Sequence, residues 1–121
     1  MDILILLTLA YLIGSIDFGV IVPRLLGVDI YGVGSGNPGT SNVLRTLGKG
    51  PAALVLIGDG AKGALAAAIA TVWAGAIDSF MSVETLAVAC AFAAVVGHVA
   101  PIWHRFRGGK GVATAIGAAV Y

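Results

Sequence analysis

Charge is scarce in this chain, and that scarcity excludes most soluble classes. Only 11% of its 121 residues are Asp, Glu, Lys or Arg, against about 25% in an ordinary soluble domain. Cysteine occurs once, as Cys90. A single thiol gives no disulfide framework and no thiolate metal site, so Cys90 is expected to pack as a small apolar residue inside a helix. Histidine occurs twice, and no cluster of His and carboxylates stands at metal-ligand spacing. No metal and no cofactor is expected. The net charge is +1 and basic residues form no run, so nucleic acid is not an expected partner.

What the chain does have is apolar length: 59% of it is hydrophobic and its mean hydropathy is +1.00. Three stretches reach or approach the ~20 residues that cross a bilayer. They run from Ile3 to about Pro23, from Pro51 to about Ile77, and from Val83 to about Trp103. The first does not read as a cleaved signal peptide, because Asp2 stands where a basic segment belongs and the apolar run is too long. A fourth stretch begins at Val112 and is still apolar at Tyr121. Its helical rise of ~15 Å is half of a ~30 Å hydrocarbon core, which reads as a chain cut off inside a span. The expectation is an all-α, multi-pass transmembrane unit over residues 1–121, with three full spans, the start of a fourth, and glycine-rich loops.

The basic residues give this unit an orientation. Arg24, Arg45 and Lys49 lie between the first and second spans, and Arg105, Arg107 and Lys110 between the third and fourth. The remaining connection holds Asp78 and Glu84 and no cation. By the positive-inside rule the basic loops face the cytoplasm and the N-terminus faces outward. The ionisable groups inside the spans converge on the same leaflet. Asp59 and Lys62 fall in the cytoplasmic half of the second span, His98 near that end of the third, and Ser15 and Asp17 in that half of the first. Such convergence suggests one site open to the cytoplasm. Trp73 and Trp103 fall near opposite span ends, where interfacial tryptophans belong.

Three glycine-punctuated cassettes occupy that leaflet: Gly34-Ser35-Gly36-Asn37-Pro38-Gly39-Thr40-Ser41-Asn42-Val43-Leu44-Arg45, Asp59-Gly60-Ala61-Lys62-Gly63, and Gly97-His98 through Gly108-Gly109-Lys110-Gly111. Glycines expose backbone N–H groups, and each cassette adds at least one cation, a combination suited to phosphate oxygens. The Gly34-x-Gly36-x-x-Gly39 spacing is not a dinucleotide fingerprint, since no strand precedes it. Gly109-Lys110-Gly111 is not a Walker loop either, because His104 and Gly111 occupy positions that demand Gly and Ser or Thr. It reads instead as an anion-binding turn leading into the fourth helix, whose dipole adds positive potential.

Each residue also has a plainer reading. Asp59 and Lys62 stand at i, i+3 and could be an intrahelical ion pair that makes burial tolerable; the functional alternative has Lys62 contacting an anion. Gly60 and Gly63 would let a neighbouring backbone approach closely. His98 could be a satisfied interior histidine. Arg105 and Arg107 read as topology determinants that touch lipid headgroups, and Asp17 as an interhelical polar contact.

In this order, and separated by spans, the motifs resemble the bacterial acyl-phosphate-dependent glycerol-3-phosphate acyltransferases. The likeness runs through Ser15, the Gly34–Arg45 cassette, Asp59-x-x-Lys62-Gly63, and His98-x-x-Pro101 leading to Gly108-Gly109-Lys110-Gly111-Val112-Ala113-Thr114. It implies an enzyme of the bacterial cytoplasmic membrane that moves a fatty acyl group from acyl phosphate to the 1-hydroxyl of glycerol 3-phosphate, giving lysophosphatidic acid. On that likeness Ser35 and His98 are the candidate catalytic residues. Gly36, Asn37, Gly39, Thr40, Asn42, Arg45, Lys62, Gly109, Lys110 and Gly111 are candidate phosphate and substrate contacts. Among these, Ser35, Arg45 and Lys110 would hold phosphate, and Asn37 and Asn42 would shape the site. Ser15 and Asp59 are structural polar groups.

No acidic partner follows His98 or His104, so the His-x-x-x-x-Asp pair of the acyl-CoA-dependent enzymes is missing. Three departures from the family stand out: Asp17 where a proline is usual, Tyr31 where a basic residue is common, and a family that continues through further spans. The competing readings are a transporter for a phosphorylated solute and a structural fragment. A transporter needs access from both faces, whereas the polar groups here gather on one leaflet.

Overall fold

The computed structural model describes residues 2–76 and 80–120, which form helices joined by loops with no strand among them. The helices are α1 (Ile3–Gly14), α2 (Phe18–Leu25), α3 (Thr40–Leu47), α4 (Lys49–Trp73), α5 (Val83–Val99) and α6 (Val112–Ala119). Short 3-10 turns lie at Ile30–Gly32, Ala74–Ala76 and Ile102–His104. Three helical stretches are long and apolar enough to cross a membrane: Ile3–Leu25, Lys49–Ala76 and Val83–His104. This is the expected all-α, multi-pass architecture, with α6 opening the fourth stretch. Asp78, on which the charge argument partly rests, lies outside the described residues, as do Met1, Ile77, Ser79 and Tyr121.

The first span differs from the single stretch read in the sequence: it is two helices. Asp2 caps α1 by accepting from the Leu4 N–H. At the other end the Ser15 Oγ donates to the Tyr11 carbonyl at 2.9 Å, a local bond that competes with helix continuation. Asp17 then caps α2, accepting from the Gly19 N–H at 3.0 Å. Asp is a far better N-cap than helix interior, so Ser15-Ile16-Asp17 breaks an apolar run that hydropathy alone would carry through. The break frees the Ile16 carbonyl for use elsewhere.

Two clusters hold the bundle together. Leu6, Ala10, Ala66, Ala70, Leu86, Cys90 and Ala94 are buried where α1, α4 and α5 meet, and Cys90 is the small apolar interior residue expected. Val20, Ile30, Val43, Ala52 and Val55 form a second core that seats α3 and the loop before it on α2 and α4. Helices α4 and α6 pack backbone to backbone: a Cβ at Gly63 would collide with the Thr114 carbonyl, and one at Gly117 with the Gly60 carbonyl. That is the close approach small residues permit between membrane helices. Leu54, Ile57, Val88 and Phe92 point outward, as lipid-facing side chains do.

Candidate active site

The first cassette forms a folded loop anchored by one amide. Asn42, in the first turn of α3, accepts from the Ser35 N–H at 3.1 Å through Oδ1. Its Nδ2 donates to the Val33 carbonyl at 3.0 Å. The Ser35 Oγ accepts from the Asn37 N–H at 3.3 Å. Asn42 is buried and spends its side chain on the loop. It therefore shapes the site from behind.

Helix α3 starts after Gly39 and α6 after Gly111, and neither start is capped by a side chain. First-turn N–H groups thus stay without intrahelical partners at both. The two starts meet. Gly39, Thr40 and Ser41 from one, and Gly111, Val112 and Ala113 from the other, line a single cavity of about 300 Å³. Asn37 and Lys110 line it too, Asp59 and His98 reach it from α4 and α5, and Leu56 and Ile116 supply apolar wall. The Thr40 Oγ1 has no hydrogen-bond partner among the described residues, which leaves a hydroxyl for a bound molecule. Two positive helix ends and the Lys110 ammonium face this cavity, an arrangement suited to an anion, with the Asp59 carboxylate also on its wall and already paired with Lys62.

Beneath the cavity lies a buried polar core. The Lys62 Nζ donates to the Ile16 carbonyl at 2.7 Å, sits 2.8 Å from His98 Nδ1 and pairs with Asp59 Oδ1 at 3.1 Å. The Phe18 N–H donates to the same Asp59 oxygen at 3.3 Å. Lys62 is 4% exposed and Asp59 2%. The expectation of Lys62 as an anion contact therefore meets an ammonium whose three acceptors are all internal and which does not line the cavity. Asp17, Asp59 and His98 each bring a ligand atom within 4.8 Å of the others, a His–carboxylate cluster that the sequence spacing hid. The Lys62 ammonium already sits against Asp59 and His98, so a metal ion there would meet a fixed side-chain cation and fits poorly, although the Asp17 Oδ2 has no hydrogen-bond partner among the described residues.

Gly109 joins the third cassette to this core. Its N–H donates to the His98 carbonyl at 3.2 Å, and a Cβ there would collide with His98 Nε2 and stand 3.0 Å from the Pro38 carbonyl. Only a glycine lets the turn, the imidazole and the first cassette close on one another.

Ser35 and Gly36 line a neighbouring cavity of about 280 Å³, with Asn37 shared between the two. Tyr31, Pro38, Arg107 and Gly108 complete that second cavity. The Arg107 guanidinium stacks 4.4 Å from the centre of the Tyr31 ring, and the Tyr31 O–H donates to the Arg107 carbonyl at 2.5 Å. Burial pushes the Tyr31 phenol above its usual range, so it remains a donor. The sequence assigned Arg107 to lipid headgroups; its partner is Tyr31, and the two loops that hold them are joined only in space. Arg45 is exposed on the last turn of α3 and lines neither cavity. Ser15 serves its own helix end.

A sequence model described as glycerol-3-phosphate acyltransferase matches residues 4–121. The chain belongs to that family. Among the family's curated members, a glycerol-3-phosphate acyltransferase of Chromobacterium violaceum is 51% identical over 109 residues, covering 89% of this chain and 52% of the relative. One from Rubrobacter xylanophilus is 45% identical over 116 residues, covering 96% and 55%. The fold also matches the crystal structure of PlsY, an integral membrane glycerol 3-phosphate acyltransferase, in its glycerol 3-phosphate form. That likeness has a TM-score of 0.82 at 45% identity, over 96% of this chain and 55% of the other. The lysophosphatidic acid form of PlsY matches with a TM-score of 0.80 at 44% identity, over 97% and 55%. The chain thus spans about half the length of the relatives it matches.

Proposed function

We propose that the full-length protein transfers a fatty acyl group from acyl phosphate to the 1-hydroxyl of glycerol 3-phosphate, forming lysophosphatidic acid at the cytoplasmic face of a bacterial inner membrane. The observation that supports this reading most is the single cavity flanked by two uncapped helix starts and Lys110, with apolar wall from α4 and α6. Phosphate suits the first feature and an acyl chain the second. Membership of the family and the glycerol 3-phosphate form of PlsY support the acceptor. In this proposal Ser35 and Lys110 hold phosphate groups, Thr40 and the first-turn N–H groups of α3 and α6 contact oxygen, and Asn37 links the two cavities. The phosphate role of Arg45 rests on the family resemblance alone, since its side chain lines neither cavity.

Acyl phosphate suits the site because its leaving group is already good. The acceptor hydroxyl attacks the acyl carbon, the carbon–oxygen bond to phosphate breaks, and phosphate departs with the electron pair. Preorganised cations and helix ends stabilise that charge as it develops. The hydroxyl proton passes to a phosphate oxygen of the acceptor. The test supplies purified full-length protein and labelled glycerol 3-phosphate with acyl phosphate, acyl-CoA or acyl carrier protein in turn. Lysophosphatidate should form from acyl phosphate alone. Comparable product from acyl-CoA would contradict the donor.

The orientation has its own check. In intact cells of a Cys90→Ala background, a membrane-impermeant thiol reagent should label Ser82→Cys, at the start of α5, and spare Lys49→Cys, at the start of α4. Outside labelling at position 49 would invert the topology and move the site to the other face.

A further inference from the structure

We infer that Lys62 is a positioning residue which holds His98 in one neutral tautomer, so that the imidazole offers the cavity an N–H donor and not a base. The inference rests on the proposed acyl transfer for its consequence, but its geometry stands apart from it. The Lys62 ammonium has three N–H donors and no lone pair. Its three neighbours are the Ile16 carbonyl at 2.7 Å, Asp59 Oδ1 at 3.1 Å and His98 Nδ1 at 2.8 Å. A carbonyl and a carboxylate can only accept, and an ammonium can only donate. Nδ1 must then accept as well, and its proton is absent.

In a neutral imidazole whose Nδ1 accepts, the proton is on Nε2. That nitrogen makes no hydrogen bond among the described residues and lies beside Gly109, on a ring that lines the cavity. A doubly protonated ring would break the Lys62 bond and set two cations 2.8 Å apart in a site where Lys62 is 4% and His98 3% exposed. Asp17 and Asp59 face the same ring and offset part of that repulsion, but neither replaces the lost bond at Nδ1. With the Nδ1 lone pair held by Lys62 and a proton already on Nε2, His98 has no free lone pair with which to collect the acceptor's proton. It contributes a fixed donor toward a substrate oxygen. Asp59 holds Lys62 in turn, and Asp59 Oδ1 itself stays 3.9 Å from Nδ1, too far to compete as its partner. The break between α1 and α2 belongs to the same device, because it exposes the Ile16 carbonyl that takes the ammonium's third N–H.

The test is nitrogen-15 NMR of the full-length protein, labelled at histidine and lysine and held in lipid nanodiscs without substrate. The His98 signals are identified by their loss in His98→Gln. A proton on Nε2, none on Nδ1, and a through-space cross-peak from Nδ1 to the Lys62 Nζ are expected. Lys62→Met should raise the Nδ1–H fraction at least several-fold, while Lys62→Arg should keep the Nε2–H form. A native ring protonated on Nδ1, or on both nitrogens, would overturn the inference. So would a Lys62→Met ring unchanged from native. If that variant does not fold, the native cross-peak decides, and its absence counts against Lys62. Added glycerol 3-phosphate should shift the Nε2–H signal, and turnover with no such shift would end the donor role. The expected tautomer in a protein that makes no lysophosphatidate would instead refute the proposed function alone.

Discussion

Asp59→Ala is expected to abolish stable folding of the full-length protein in the membrane. The substitution leaves the Lys62 ammonium, 4% exposed, beside His98 with no carboxylate at ion-pair distance among the described residues, since Asp17 belongs to the cluster but makes no ion pair with it. Removing one partner of a buried ion pair costs about 3–5 kcal/mol, because the survivor stays buried and uncompensated. That is a large part of the ~5–15 kcal/mol that holds a typical protein folded. The loss also removes the acceptor for the Phe18 N–H at the start of α2. Asp59→Ala combined with Lys62→Met should regain most of the lost stability, since an apolar side chain of similar length replaces the charge. The measurement is thermal unfolding of the detergent-solubilised protein, with yield in the membrane fraction as a second readout. Native-like stability of Asp59→Ala would show that the pair is solvated and that the polar core described here is wrong.

Lys110→Ala should cut kcat/KM of the full-length protein by roughly 10- to 150-fold, the equivalent of about 1.5–3 kcal/mol for a lost charge-assisted contact. Lys110 is exposed to the cavity between the starts of α3 and α6 and has no carboxylate at ion-pair distance among the described residues. Its charge is therefore free for substrate, unlike that of Lys62. Folding should be unaffected, because the side chain supports no packing. A variant turning over at nearly the native rate would remove Lys110 from the phosphate site and return it to the role of topology determinant.

The contrast between these two lysines shows where sequence reading stops. Both stand in glycine-rich cassettes on the same leaflet and both are candidate anion contacts, with an intrahelical pair to Asp59 as the alternative for Lys62, which is the arrangement the structure has. What separates them is the Ile16 carbonyl, freed by a helix break at Ser15-Ile16-Asp17, and the His98 Nδ1 from another span. Neither is local to Lys62. Arg107 is similar: its stacking partner Tyr31 is contributed by a loop two spans earlier. Asp17 reads in the sequence as an interhelical polar contact, and folding names its neighbours, Asp59 and His98 from two other helices. Asn42 reads in the sequence as a residue that shapes the site; what folding adds is an amide tied to the Ser35 N–H and the Val33 carbonyl, which fixes the loop before α3.

By itself the sequence determined the membrane-spanning class, the number of spans, the glycine-rich segments between them and the family, because hydropathy, turn chemistry and motif order are properties of neighbouring residues. Tertiary structure alone decided which cations remain free, which carboxylates share a core, and that two helix starts 72 residues apart, at Thr40 and Val112, face one cavity. Those outcomes depend on directions and distances of a few ångströms between segments far apart in the chain. Hydrogen-bond stoichiometry in a dry interior then fixes what each group can do.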